Sequence, residues 1–142
     1  MASVCGNEQV GGLVGRNVDT VSNSYSTGNV TGNLHVGGLV GSNEGNISGS
    51  YATGNVSSNE QIGGLVGHSD GTVSNSFWNT QTSGQTTSAG GTGENTTQMM
   101  NIATFSEAGW NIIAVAIVDA RDHAYIWNIV TGVTYPFLSW QA

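Results

Sequence analysis

Val36-Gly37-Gly38-Leu39-Val40-Gly41 is the phrase that decides the fold, because the chain contains this pattern three times. The other two copies occupy residues 10–15 and 62–67, so each copy follows the preceding one by 26 residues. Repetition at a constant spacing is typical of units that stack, since one short unit cannot bury its own apolar side chains. The sequence therefore predicts an architecture of stacked repeats.

Each repeat contains three stretches with the composition of short β-strands. The first is the glycine-rich phrase itself. The second covers residues 20–26, 46–52 and 72–78, and the third covers residues 28–31 and 54–57. Between the first two stretches lies a turn that contains Gly45 or Gly71 in the later copies, and glycine there predicts a positive φ angle.

Stacked copies would place equivalent side chains in rows along the axis of the repeat. The predicted rows are Leu13, Leu39 and Leu65; Val14, Val40 and Val66; and Tyr25, Tyr51 and Phe77. These rows predict an all-β fold, a triangular parallel β-solenoid (β-helix) of about three coils of 26 residues, whose backbone groups pair with the coils on either side. A sandwich of antiparallel hairpins is the alternative.

The repeats end at Phe77-Trp78, which divides the chain into two predicted domains. Residues 1–78 form the solenoid, with residues 1–9 as the end of an incomplete first coil. Residues 79–142 form a C-terminal α+β capping region, since terminal units of repeat proteins differ from internal ones. This region contains a Gly/Ser/Thr-rich loop, a short helix capped by Thr96 or Thr97, and aromatic-rich strands over residues 111–118, 124–130 and 135–140.

The composition is acidic and poor in charge, with a net charge of −7 and only 8% charged residues. A negative surface repels nucleic acid and anionic membranes, and no apolar run is long enough for membrane insertion. The abundance of Asn, Ser and Thr favours an exported, extracellular protein. The single Cys5 excludes an internal disulfide, and its position matches Thr31 and Ser57, which indicates an ordinary strand residue.

Catalytic and metal-binding patterns are weak. His35, His68 and His123 form no zinc-peptidase spacing, so we expect solvated histidines and no enzymatic activity. Glu44 and Asp70 recur at one corner of the repeat and are weak candidates for calcium binding, but one carboxylate per coil leaves most of a calcium shell unfilled. We therefore expect no cofactor.

Four triplets match the acceptor pattern for N-glycosylation, in which Asn is followed by any residue but Pro and then Ser or Thr. They begin at Asn29, Asn46, Asn55 and Asn95. A chain so rich in these residue types also produces such triplets by chance, so possible glycosylation stays an open prediction.

The residues 37–41, Gly-Gly-Leu-Val-Gly, and 21–30, Val-Ser-Asn-Ser-Tyr-Ser-Thr-Gly-Asn-Val, resemble the GLUG repeat. GLUG repeats occur in bacterial and archaeal surface proteins, including adhesins of the filamentous-haemagglutinin type. The tail, from Phe77-Trp78-Asn79-Thr80 to residues 135–140, is similar to the segments that often lie on the C-terminal side of such arrays. The resemblance implies a cell-surface stalk or adhesive module and carries over no catalytic residues.

Three functions are compatible with these observations. The first is a non-enzymatic extracellular structural or adhesive module, part of a larger surface protein and able to contact host or envelope glycans. The second is a subunit of an extracellular fibre (a filament), in which copies stack head to tail through the open N-terminal coil. The third is a carbohydrate-binding or carbohydrate-active solenoid.

Overall fold

The computed structural model describes residues 3–141 and divides them into two compact units that meet between Glu94 and Asn95. Met1 and Ala2, assigned from the sequence to the incomplete first coil, lie outside the described residues, as does Ala142 of the predicted capping region. Each unit is described by itself. The first is a parallel β-solenoid, which confirms the predicted fold class.

The solenoid contains five short strands per full coil, after an initial strand β1 (Ser3–Cys5). Coil 1 consists of β2 (Glu8–Gly11), β3 (Val14–Asn17), β4 (Thr20–Ser22), β5 (Tyr25–Ser26) and β6 (Asn29–Thr31). Coil 2 consists of β7 (Leu34–Gly37), β8 (Val40–Asn43), β9 (Asn46–Ser48), β10 (Tyr51–Ala52) and β11 (Val56–Ser57). Coil 3 consists of β12 (Glu60–Gly63), β13 (Val66–Ser69), β14 (Thr72–Ser74) and β15 (Phe77–Asn79), and a short helix α1 (Thr80–Ser83) comes next in place of a fifth strand.

All strand pairs between coils are parallel, and each residue lies opposite its equivalent one repeat away. Val40 pairs with Val14 and Val66, and Tyr51 pairs with Tyr25 and Phe77. The antiparallel sandwich is therefore wrong as an alternative. Strand β1 pairs with β6, with Ser3 opposite Asn29, and so occupies the place of a fifth strand below coil 1.

The glycine-rich phrase is a corner and not one strand, which corrects the prediction of three strands per repeat. In coil 2 the phrase leaves β7 at Gly37 and enters β8 at Val40, with a bend at Gly38 and Leu39. A Cβ on Gly37 would lie 2.0 Å from the carbonyl oxygen of Val40, and one on Gly38 would lie 2.2 Å from that of Gly64. Only glycine permits so tight a bend against the neighbouring coil. The second predicted stretch also divides, for example into β9 and β10.

The predicted positive φ at Gly45 and Gly71 is wrong. Positive φ angles recur instead at the position of Asn23, Gly49 and Asn75. Glycine is required at the turn for a different reason: a Cβ on Gly45 would lie 2.0 Å from the carbonyl oxygen of Asp19, and one on Gly71 would lie 2.0 Å from that of Gly45. The coils touch at this corner, and the side chain of a later coil would strike the backbone of the coil before it.

Two clusters of buried apolar side chains are found among the described residues of the solenoid. The larger contains Leu39, Leu65, Val40, Val66, Val21, Ile47, Ala52 and Trp78, with Val14 and Val73 packed against it. The smaller contains Val10, Val30, Val36 and Val56, with Val4 and Ile62 beside it. Among these side chains lies a buried amide row in which Asn17 Nδ2 donates to Asn43 Oδ1 at 2.8 Å, and Asn43 Nδ2 donates to the carbonyl oxygens of Gly45 and Thr72.

Residues 79–94 fold onto coil 3 and belong to the first unit, so the compact solenoid unit extends beyond residue 78. Strand β16 (Thr92–Glu94) pairs in parallel with β15. Ser88 Oγ accepts the amides of Leu65 and Val66, and the indole of Trp78 donates to the carbonyl oxygen of Gln85. This segment thus supplies coil 3 with contacts that the next coil supplies to coils 1 and 2.

The second unit contains two short helices and a three-stranded sheet. Its elements are α2 (Thr96–Met99), α3 (Ile102–Ser106), β17 (Ile112–Ala114), β18 (Trp127–Ile129) and β19 (Phe137–Leu138). Strand β18 lies between a parallel β17 and an antiparallel β19. The rings of Phe105, Trp110 and Trp127 pack in sequence, with centroids 4.8 and 4.9 Å apart. The three strands predicted here are present but much shorter than expected.

The predicted cap of the first helix in this unit is also corrected. Asn95 is the N-cap: its side chain accepts from the amide of Gln98, while Gln98 Oε1 accepts from the amide of Asn95. Thr96 is the first helical residue. Asn competes well as a cap because its short side chain reaches the unpaired amides of the first turn.

Candidate functional site

One side of coil 1 has no neighbouring coil among the described residues. Within residues 3–141, strands β2, β3, β4 and β5 pair on one side only, whereas β7, β8, β9 and β10 of coil 2 pair on both sides. Strand β6 is covered by β1. We refer to the uncovered side of β2 to β5 as the open edge.

The open edge presents hydrogen-bonding groups whose equivalents in later coils are used between coils. The carbonyl oxygen of Leu39 accepts the amides of Leu13 and Val14, and the carbonyl of Leu65 does the same one coil later. The equivalent acceptor on the open edge is the carbonyl of Leu13. Similarly, Ser50 Oγ accepts the amide of Ser24 at 3.2 Å, so Ser24 Oγ is the equivalent acceptor of coil 1.

Donors are distributed in the same way. The amide of Glu44 donates to the carbonyl oxygen of Asn17, and the amide of Asn46 donates to that of Asp19. The equivalent donors of coil 1 are the amides of Val18 and Thr20. The open edge therefore presents the same alternation of donors and acceptors that holds the coils together.

Apolar side chains accompany these groups. Leu13 is 48% exposed, whereas Leu39 and Leu65 are completely buried. Val18 is 65% exposed at a position occupied by Glu44 and Asp70 in the later coils. Of the predicted rows, the leucine row is thus in register throughout but buried only in coils 2 and 3.

Each of the two carboxylates predicted as weak calcium candidates has a side-chain partner. Both carboxylate oxygens of Glu44 accept from the Arg16 guanidinium, at 2.8 and 2.9 Å. Asp70 Oδ2 lies 3.2 Å from Nε2 of His68. In the part of the chain that the structure describes, no group of three or more His, Cys, Asp or Glu side chains is arranged to bind a metal ion.

The structure brings together His35 and His68, which the sequence analysis treated as separate solvated residues. Their rings stack with centroids 4.8 Å apart and an angle of 16° between the planes. His35 has a φ of +52°, and Gln9 and Gln61 have similar positive values at the same repeat position. The positive φ makes a bulge in the strand at His35. This bulge lies close to the next coil, so that a Cβ on Gly67 would lie 2.7 Å from the carbonyl carbon of His35. His123 is exposed in the second unit.

The four asparagines of the glycosylation triplets are all exposed. Asn29 Oδ1 accepts the amide of Asn55 at 3.1 Å, and Asn95 caps α2. Cys5 is an exposed free thiol in β1, opposite Thr31. These placements leave glycosylation a prediction.

These features define a class of protein, a parallel β-solenoid built from a 26-residue repeat. The family model described as "The GLUG motif" matches residues 6–31 and 32–57, which identifies these two segments as copies of the GLUG repeat. The two matched segments correspond to coils 1 and 2, and the strands of coil 3 continue them in register. No curated protein and no solved structure matches the chain. Across residues 3–141, the helices are too short or too polar to cross a bilayer.

Proposed function

We propose that this chain is a non-enzymatic structural module of an extracellular, cell-surface protein, with an adhesive outer surface. The observation that carries the proposal is the register of the coils, since every strand pair between them joins equivalent residues. Such a stack transmits force through many backbone hydrogen bonds at once. A stalk or spacer needs that property, and it needs no reactive group.

The interior adds stiffness to the stack. Asn17 and Asn43 form a buried amide row, and Tyr25 and Tyr51 stack with ring centroids 5.2 Å apart and nearly parallel planes. Satisfied buried polar rows specify one register, because a slip of one residue would leave each amide without its partner. These contacts support a rigid module over a flexible linker.

The outer surface supports contact with polar partners such as glycans. Asn7, Asn33 and Asn59 form an exposed amide row on the outside of the solenoid. Amide groups can donate and accept at once, so they suit the hydroxyl groups of sugars. We therefore keep adhesion to host or envelope glycans within the proposal, and cell-surface localisation with it.

A fibre built by head-to-tail stacking has less support. Continuous stacking needs a second uncovered edge on coil 3 that matches the open edge of coil 1. That side of coil 3 instead bonds residues of the same chain: the amide of Gly64 donates to the carbonyl of Thr87, and the amide of Ala89 donates to that of Val66. A single module with one open edge is the better proposal.

Single-molecule force spectroscopy tests the mechanical role. The chain is placed between two reference domains of known unfolding force and stretched. We expect one abrupt unfolding event for the solenoid, at a force that Leu39→Ala lowers and Leu13→Ala leaves almost unchanged. Gradual extension at low force, without a distinct event, would contradict a structural role.

Glycan arrays and polysaccharide degradation assays separate the remaining functions. Binding without degradation supports the adhesive surface, and Asn33→Ala, in the middle of the outer amide row, should weaken that binding. Release of sugar fragments would overturn the non-enzymatic assignment. If the module lies at the cell surface, a protease added to intact cells that produce the protein is expected to cleave it.

A further inference from the structure

We propose that His35 and His68 form a binding site for a divalent transition-metal ion of the zinc type, and that the bound ion joins coil 2 to coil 3. The two residues belong to neighbouring coils, and their rings stack with centroids 4.8 Å apart. The proposal goes beyond the structural role of the module, because it assigns a ligand to one place on the solenoid surface.

The geometry of the repeat explains why the two histidines meet. His35 lies in β7 with a positive φ, and a Cβ on Gly67 of β13 would lie 2.7 Å from its carbonyl carbon. His68 is the residue after Gly67 in the same strand. One coil earlier, Gln9 and Ser42 occupy the same two repeat positions. Of these two coil boundaries, only the one between coils 2 and 3 carries an imidazole at both positions.

The carboxylate of Asp70 prepares His68 to act as a ligand. Asp70 Oδ2 lies 3.2 Å from Nε2 of His68. An ionised carboxylate can only accept a hydrogen bond, so Nε2 carries the hydrogen and the lone pair of the ring lies on Nδ1. A carboxylate in this place orients a ligating histidine and makes it more basic. Imidazole nitrogens of this kind suit Zn²⁺, Cu²⁺ and Ni²⁺.

The protein supplies two imidazoles as ligands, since the described residues contain no group of three or more His, Cys, Asp or Glu side chains arranged around one ion. Glu44, at the repeat position of Asp70 one coil earlier, is held by Arg16 through both oxygens. Structural zinc sites have more protein ligands than two, so water completes the shell and moderate affinity is expected.

The stacked rings must move before they can share an ion. Their planes differ by only 16°, so the lone pairs of two parallel rings converge on one ion only after a ring turns. The side chain of His68 is 35% exposed, and it can turn at the surface without disturbing the buried clusters. Binding therefore replaces the stack with two metal–nitrogen bonds that cross from coil 2 to coil 3.

Titration of the whole chain with zinc chloride tests the inference, with thermal unfolding and NMR of the imidazole signals as readouts. We expect one bound ion per chain and shifts of the His35 and His68 signals but not of the His123 signal. The melting temperature should rise with the zinc concentration, because the ion binds both residues only when the coils lie side by side. Calcium chloride should cause none of these changes, since Ca²⁺ prefers oxygen ligands.

His35→Gln and His68→Ser remove the two ligands. Both variants should fold, because the repeat already contains Gln9 and Ser42 at these positions. Asp70→Asn should weaken zinc binding by about tenfold, as expected for a residue that orients a ligand. Each ligand variant should weaken binding by more than Asp70→Asn does, and should abolish the rise in melting temperature.

Cys5→Ser and His123→Gln are the matched controls, because each removes another side chain that could bind zinc. Cys5 lies at the repeat position of Ser57, so serine fits there. Both controls should bind zinc as the wild type does. Equal binding by wild type and His35→Gln, or binding that Cys5→Ser abolishes, overturns the inference. Binding at the histidine pair without any rise in melting temperature overturns the link between the coils.

Discussion

Coils 1 and 2 share the same glycine-rich phrase, yet the structure places their equivalent residues in different surroundings. Leu39 is completely buried, whereas Leu13 is 48% exposed. Gly45 lies against the backbone of Asp19, whereas Asp19 itself carries a side chain at the same repeat position. The comparison teaches that a repeat phrase encodes the contacts a coil can make, and that the number of neighbouring coils decides which of them are made.

The largest expected difference in the free energy of unfolding is between substitutions at Leu39 and at Leu13. Leu39→Ala should lower the free energy of unfolding by about 2–5 kcal/mol, because it leaves a cavity between two coils. Leu13→Ala should lower it by no more than about 0.5 kcal/mol, as expected for an exposed side chain. Urea denaturation followed by circular dichroism measures both. Equal losses at the two positions would break the comparison.

The next largest difference in stability is expected at the corner that contains Gly45. Gly45→Ala should destabilise the protein by about 3 kcal/mol or more, since its methyl group would overlap a backbone oxygen that cannot move away alone. Asp19→Ala at the equivalent position of coil 1 should change stability by only about 0.5 kcal/mol. Thermal unfolding of both variants against wild type checks this. A harmless Gly45→Ala would show that the coils separate easily at this corner.

The buried and exposed amide rows offer a smaller contrast. Asn43→Ala removes the partner of buried carbonyl and amide groups and should cost about 2 kcal/mol, in the range for unsatisfied buried polar groups. Asn33→Ala removes an equivalent contact on the outer surface, where water replaces it, and should cost about 0.5 kcal/mol. The difference between their urea midpoints is the measurement. Equal midpoints would mean that the inner row is hydrated.

The smallest effect is expected for the ion pair that joins coils 1 and 2. Arg16→Ala should lower stability by at most about 1 kcal/mol, because both partners are half exposed to water. The loss should shrink as salt is added, since ions screen exposed charges. Unfolding at low and at high sodium chloride tests this. A loss that is large and independent of salt would identify the pair as a main link between the coils.

Much of the fold could be predicted because the repeat constrains it. Equivalent residues at a constant spacing, such as Val14, Val40 and Val66, can share one environment only if the coils stack in register. The number of strands per coil could not be predicted in the same way. The bend at Gly38 and Leu39 lies against the backbone of Gly64 in the next coil, and contacts between coils cannot be read from one repeat.

The candidate site was less predictable. The sequence predicted an incomplete first coil, and within residues 3–141 the strands β2 to β5 have a neighbouring strand on one side only. It did not indicate that His35 and His68 would stack, because they occupy different repeat positions and meet only through the bulge of one coil and the corner of the next. In the second unit, Asn95 is the cap that was expected to be a threonine, since its side chain reaches the first helical amides equally well.

The amino-acid sequence by itself determined the 26-residue period and the sets of equivalent side chains, because these depend on spacing alone, and it favoured the parallel stack over an antiparallel sandwich without deciding between them. Only the tertiary structure decided which members of those rows are covered, where the glycines are required, and that residues 79–94 belong with coil 3. The physical reason is that burial and close backbone contact depend on two adjacent coils, and two coils lie next to each other only once the chain has folded.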